Sequence, residues 1–295
     1  MRTPPPPREI GLVFPALRGE EGQTVRLHPW PAADSEKGVS KIGGLFLWPA
    51  HEPWPACSAL EELSVEESDK RVLQLGSADL SPVEVGDPLH NDHLIGVLQL
   101  RQQDVPELGF YPETDLFQLL WCPRSHPEEY GPHCRIFWRR AEDVTHPLSV
   151  VPAPSQPDGE LLPPICALSP KRVAEYPPSW ELPEELYNDI QKWEATEAAH
   201  GASYHFQLGD APGTKVGGYP NPTYGRGVEH ACPICGADME YLLTVASGEA
   251  GALEADGRWD AEPPPADDYL LIGRGGNLVI FICHRHTEWP ISWTL

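Results

Sequence analysis

The sequence predicts a strand-rich α+β fold made of two similar β-rich halves, with a zinc-knuckle element in the second. Three observations lead there. The 295 residues include 35 prolines and 26 glycines, which keeps helices short and favours many strands and turns. A phrase recurs: Lys41-Ile42-Gly43-Gly44 returns as Lys215-Val216-Gly217-Gly218, each followed soon by a proline, Pro49 and Pro220. Near the C-terminus lie two short Cys/His hooks, Cys232-Pro233-Ile234-Cys235 and Cys283-His284-Arg285-His286, of the kind that enclose a tetrahedral ion.

These features divide the chain into a first β-rich repeat at 1–150, a proline-rich connector with a helix at 151–205, and a second β-rich repeat at 206–295. Met1 to Ile10 carries four consecutive prolines and no apolar stretch, unlike a signal peptide. Glu61 to Arg71 has the pattern of a weak, acidic helix. Apolar runs at Leu94–Leu100 and Leu116–Cys122 read as strands joined by a turn. The connector, Pro147 to Pro178, reads as extended. A helix is expected over Pro183–Ala199, because Leu182, Leu186, Ile190 and Trp193 fall on one face. Pro183 suits its first turn, Glu184 and Glu185 suit the positive end of its dipole, and Gly201 suits its stop.

The second repeat follows the first in order. After Lys215–Gly218 come apolar runs at Tyr241–Ala246 and Leu278–Cys283, the latter ending in cysteine as Leu116–Cys122 does. Even the residues after the cysteines rhyme: Pro123-Arg124-Ser125-His126 against His284-Arg285-His286. Order and chemistry agree over two stretches, which reads as an internal duplication. Glu249 to Asp268, rich in acid, glycine and proline, reads as an exposed insertion between the hooks.

Composition excludes several classes. With 44 acidic against 21 basic residues the formal charge is −23, so the concentrated basic surface that phosphate backbones require is missing. Such a field suits a basic protein partner, and it also serves solubility. Hydrophobic content of 40% with ten tryptophans indicates a core, and two methionines do not make an adaptable groove. No apolar run reaches bilayer length. The expectation is a soluble, cytoplasmic protein, free of nucleic acid and membrane.

Within the hooks, Cys232 and Cys235 have the spacing of a metal knuckle, with Gly236 to permit the tight turn. The strand Leu278–Ile282 delivers Cys283, and His286 repeats the spacing of the first hook. In an extended chain His284 points to the opposite side, which makes His286 the expected fourth ligand. A redox pair normally opens a helix, whereas Pro233 and Gly236 favour a turn; inert buried thiols are the remaining reading. The 47 residues between the hooks exceed the gap in a small zinc finger. A catalytic ion is disfavoured, because such sites keep three protein ligands and an open water position, and no His-Glu-x-x-His helix exists.

Other groupings carry less. Cys122, His126, His133 and Cys134 are a candidate second metal cluster of no common spacing, in which Cys122 is also the echo of Cys283. The Gly-Gly turns, with Lys41 and Lys215, are candidate anion nests, although their duplication favours a structural corner. His90-Asn91-Asp92-His93 reads as a polar turn, and Gly273-Arg274-Gly275-Gly276 as a hairpin turn. Neither a phosphate-binding loop nor a nucleophile elbow is present. Trp48 with Trp54, and Trp289 with Trp293, belong to the core unless exposed, where they would form contact patches.

Lys41–Gly44 with Trp48-Pro49, Leu98-Gln99-Leu100, Gly109 and Leu116–Trp121 resembles the YwqG-like family of uncharacterised bacterial proteins. Lys215–Gly218 and Leu278–Ile282 resemble that family's second repeat, so the likeness spans about residues 10 to 295. It implies an α+β fold of two similar halves and no catalytic residue. The C-terminal part is also similar to the programmed cell death protein 2 family, whose members act as chaperones for a ribosomal protein. Gly217, Gly218, Cys232, Cys235 and Cys283 match that pattern, and His286 stands where a cysteine is expected.

The functional expectation is therefore a non-enzymatic protein binder, chaperone-like or immunity-type, with structural zinc on Cys232, Cys235, Cys283 and His286. The alternative is an enzyme or small-ligand binder with a site in the cleft between the halves.

Overall fold

The computed structural model describes residues 9–33, 36–57, 92–126, 131–155, 157–197, 203–220, 231–232, 234–247 and 276–294. Strands come first in the order β1 (Gly22–Arg26), β2 (Trp30–Pro31), β3 (Lys41–Ile42), β4 (Ile95–Arg101), β5 (Leu116–His126) and β6 (Gly131–Arg139). Then follow β7 (Cys166–Ala167), β8 (Lys171–Glu175), β9 (Lys215–Val216), β10 (Glu240–Val245), β11 (Leu278–Cys283) and β12 (His286–Thr294). Helices are few: one turn, α1 (Ile10–Val13), and α2 (Glu184–Glu197). The strand-rich expectation holds.

The strands form two six-stranded antiparallel sheets. One, the N-sheet, has the order β2-β7-β3-β4-β5-β6; the other, the C-sheet, has the order β12-β11-β10-β9-β1-β8. Alternation along the strands sends Leu98, Leu100, Phe117 and Leu119 of the N-sheet into the same core as Leu243, Val245, Leu278 and Ile280 of the C-sheet. The last strands, β6 and β12, lie against each other. The C-sheet recruits β1 from the beginning of the chain and β8 from the stretch expected to be a connector. That stretch contains a 3-10 turn, Gly159–Leu161, and two strands that go to different sheets: β7 pairs with β2 and β3, β8 with β1.

A common register runs through both sheets. Ile42 faces Leu98 and Lys41 faces Gln99, as Val216 faces Leu243 and Lys215 faces Thr244. A bulge at Gly96–Leu98 in β4 corresponds to one at Tyr241–Leu243 in β10. The carbonyls at the two bulges, Val97 and Leu242, accept from the N–H of Gly43 and Gly217. Leu98 pairs Leu119 and Leu243 pairs Ile280, so counting along β5 and β11 places Cys122 and Cys283 at the same position.

Outside the shared core, aromatic bulk covers each sheet. On the N-sheet, Phe46, Trp48, Trp54, Cys57, Leu94, Leu120 and Cys122 pack together. Trp48 and Trp54 are thus core residues, while the side chains of Trp289 and Trp293 lie outside the described residues, as do Glu61–Arg71 and Glu249–Asp268. Beside the C-sheet, α2 turns Leu186, Ile190 and Trp193 onto Phe14 and Tyr204, as its periodicity requires, and Leu182 just before the helix joins them. The Glu194 carboxylate at its far end accepts from the N–H of Tyr204 and the hydroxyl of Ser203. This holds the following π-helical stretch, Tyr204–Leu208, in place.

Candidate metal centre

The two hooks are brought together by different local structures. The first is a tight knuckle: Gly236 N–H donates to Cys232 O at 2.8 Å, Cys232 N–H donates to Ala237 O at 2.7 Å, and Ala231 pairs with Asp238. Gly236 takes the left-handed conformation, φ 68°, that a residue without Cβ adopts freely. The second is the hairpin of β11 and β12, in which Cys283 faces His286 across the two-residue turn His284-Arg285. Alternation along β11 sends Ile280 and Ile282 into the shared core, and Phe281 and Cys283 to the other face. There Cys283 meets Cys232 and Met239.

All four predicted ligands converge. One donor atom from each of Cys232, Cys235, Cys283 and His286 lies within 4.8 Å of every other. Cys235 Sγ is 3.7 Å from Cys283 Sγ, and His286 Nδ1 is 3.5 Å from Cys232 Sγ and 3.8 Å from Cys283 Sγ. An ion with metal–sulfur bonds of about 2.3 Å in a tetrahedron separates its sulfurs by about 3.8 Å. The side chains are therefore spaced as such an ion requires, and the four residues can hold a metal ion.

Thiol ionisation favours this at Cys283 and opposes it at Cys232. Burial raises the Cys283 thiol, but hydrogen bonds from the Arg285 N–H and from the side chain and N–H of His286 bring it down to about 6. Cys232 is raised, chiefly by burial, against the lowering effect of the Cys235 and Ile234 N–H groups. Cys232 and Cys283 are buried, His286 is half-buried and Cys235 is exposed, so the centre opens to solvent on one side.

His284 does point away from the ligands. Its Nε2 meets Glu240 Oε2 at 2.9 Å, and its Nδ1 lies 3.4 Å from the Tyr111 hydroxyl. Tyr111 stands edge-on to Trp138 of β6 at 4.9 Å between ring centroids. The turn between the two C-terminal ligands is thereby tied to the N-sheet side. Sequence gave no signal for this, because Tyr111 and His284 are 173 residues apart.

The other candidates have structural explanations or stand apart. Among the described residues the only grouping fit for a metal is the C-terminal one. Cys122 is in the aromatic cluster, Cys134 Sγ contacts the Pro132 carbonyl, and the His126 side chain lies outside the described residues. Asp92 serves as a turn carboxylate, accepting from the N–H of His93 and Ser155. All seven cysteines are free of disulfides.

A buried carboxylate sits beside the Gly217-Gly218 turn. Glu175, fully buried at the end of β8, accepts from Lys215 Nζ at 2.8 Å and from the N–H groups of Ala211 and Tyr219. A Cβ on Gly218 would collide with that carboxylate. Beside it, burial raises Asp210 from the usual 3.8 to about 7; Lys215 opposes the rise and Glu175 adds to it.

Fold and centre together define the class: a strand-rich, two-sheet protein with a Cys3His knuckle-and-hairpin site. No protein-family model matches the chain, and no curated protein matches it. No described helix is long and apolar enough to cross a membrane.

Proposed function

We propose that this is a non-enzymatic protein that binds another protein and carries a structural zinc ion on Cys232, Cys235, Cys283 and His286. The observation that supports it best is the convergence of three thiols and an imidazole at tetrahedral spacing. That donor set suits zinc, and four protein ligands leave no open position for a substrate. The shared apolar core between the sheets counts against a catalytic cleft there. Glu175 and Lys215 are spent on each other and on the backbone. The matching register and bulges support an internal duplication, in keeping with the YwqG-like resemblance. The seven free thiols suit a reducing cytoplasm.

The partner class follows from charge. A surface of net −23 steers a basic protein toward it, and Trp30, 48% exposed at the edge of the N-sheet, offers an aromatic anchor. The action is chaperone-like or immunity-type capture, with the zinc as a staple. Native mass spectrometry with metal analysis on protein from its own host tests this. One zinc per chain with a stoichiometric basic protein is the expected result. Zinc-free protein overturns the metal assignment; a zinc-bearing chain alone, stabilised by a small metabolite, overturns the binder assignment in favour of an enzyme or small-ligand binder.

A further inference from the structure

We propose that Cys235 is a site of oxidation by peroxide, with Cys283 as its resolving partner, so that the centre exchanges its metal for a disulfide. The inference rests on the zinc assignment above and adds regulation to it. Its basis is an asymmetry among the three thiols. Cys232 and Cys283 are each 2% exposed, whereas Cys235 is exposed at the tip of the knuckle beside the 45% exposed Ile234. A small oxidant therefore meets Cys235 first. The sulfur on the other hook, that of Cys283, lies 3.7 Å from Cys235 Sγ; Cys232 Sγ also neighbours both and has the His286 ring at 3.5 Å. The four remaining cysteines, Cys57, Cys122, Cys134 and Cys166, are all buried.

The chemistry balances with hydrogen peroxide as oxidant. The Cys235 thiolate attacks one peroxide oxygen, the O–O bond breaks, and hydroxide leaves while Cys235 becomes a sulfenic acid. The Cys283 thiolate then attacks the Cys235 sulfur, forming the S–S bond and expelling a second hydroxide. Both hydroxides take protons from solvent and become water. The two cysteines lose two electrons in all, and the peroxide gains them. Two of four ligands are gone, and Cys232 with His286 alone does not retain the ion. The new bond joins the same two hooks that the metal joined, so the oxidised protein keeps a cross-link between knuckle and hairpin.

The test treats the zinc-loaded full-length protein with equimolar hydrogen peroxide, follows free zinc with a colorimetric chelator, and maps disulfides by peptide mass spectrometry. The expected result is one zinc released per chain with a Cys235–Cys283 linkage, reversed by dithiothreitol plus zinc. Cys235→His replaces the reactive ligand by an imidazole, and its release should be at least about tenfold slower. Release at an unchanged rate in that variant, a Cys232–Cys235 linkage, or earlier oxidation of the four core cysteines overturns the proposal. If Cys235→His does not load with zinc, the linkage found in the unsubstituted protein decides. A chain that carries no zinc before treatment fails the metal assignment instead, and retention of zinc under peroxide fails this proposal alone.

Discussion

The two sheets solve one problem in different ways. Each ends in a hairpin whose inner strand carries a cysteine at the same register position, Cys122 on β5 and Cys283 on β11. Around Cys122 the chain supplies apolar volume: Trp48 and Trp54 lie 4.9 Å apart, Phe137 stands edge-on to Trp48 at 4.8 Å, and the Arg139 guanidinium covers the Trp48 ring at 4.1 Å. Around Cys283 the buried cluster, among the described residues, is Cys232, Met239 and Cys283, with Phe281 packed beside it. The matching register positions are thus surrounded differently, one by an aromatic cluster and the other by groups that can hold a metal ion.

The largest test of that contrast is a pair of matched substitutions. Cys283→Ser should abolish stoichiometric metal binding and open residues 231–247 and 276–294 to hydrogen exchange, because structural zinc is worth about 10 kcal/mol or more in small sites. Cys122→Ser should leave metal content unchanged and cost about 1–3 kcal/mol by chemical denaturation, the cost of a hydroxyl in an apolar cluster. Loss of metal in both would erase the distinction. Next in size, Trp48→Ala should cost about 3–5 kcal/mol and leave metal content unchanged.

The Gly-Gly turns sharpen the comparison further. Gly43 and Gly218 both take positive φ, 63° and 74°, but a Cβ at Gly43 meets the Pro164 carbonyl at 2.6 Å and one at Gly218 meets the Glu175 carboxylate. Alanine should cost about 1–3 kcal/mol in backbone strain at either position. Gly218→Ala should also displace Glu175, so its melting temperature should be the lower of the two. The smallest effect concerns pH. Asp210 in the folded protein titrates near 7 rather than 3.8. The folded state therefore holds a proton that the unfolded state has lost, and stability from this group falls as pH rises between those values. Denaturation of Asp210→Asn across that range should show the slope reduced; an unchanged slope would mean that another group sets it.

What could be read in the sequence follows the range of the physics. Strands β5 and β11 were legible because they are buried, near-continuous apolar runs, and α2 because its apolar face repeats at helical spacing. The Cys/His cluster was legible because each hook is local and its spacing is set by a single turn. Strand β8, Lys-Arg-Val-Ala-Glu, carries no such pattern, since its first two side chains are exposed at the end of a sheet. Glu175 was invisible for a related reason: its role depends on Lys215, 40 residues away and reached only through sheet pairing. Neither reading of the second Gly-Gly turn, the favoured structural corner or the anion nest, foresaw that Tyr219 just beyond it donates to Glu175.

Strand β1 also constrains how the molecule is made. The Thr24 hydroxyl donates to the Val216 carbonyl 192 residues later, and among the described strands β1 alone joins β8 to the rest of the C-sheet. During synthesis β1 and β8 can pair as soon as residue 175 has emerged, whereas β9 to β12 come afterwards. The C-sheet is therefore completed from an early ribbon that waits for late strands, a contact pattern that slows folding. Until then the inner edge of β1 is an open row of backbone donors and acceptors, the kind of edge that invites pairing with another chain.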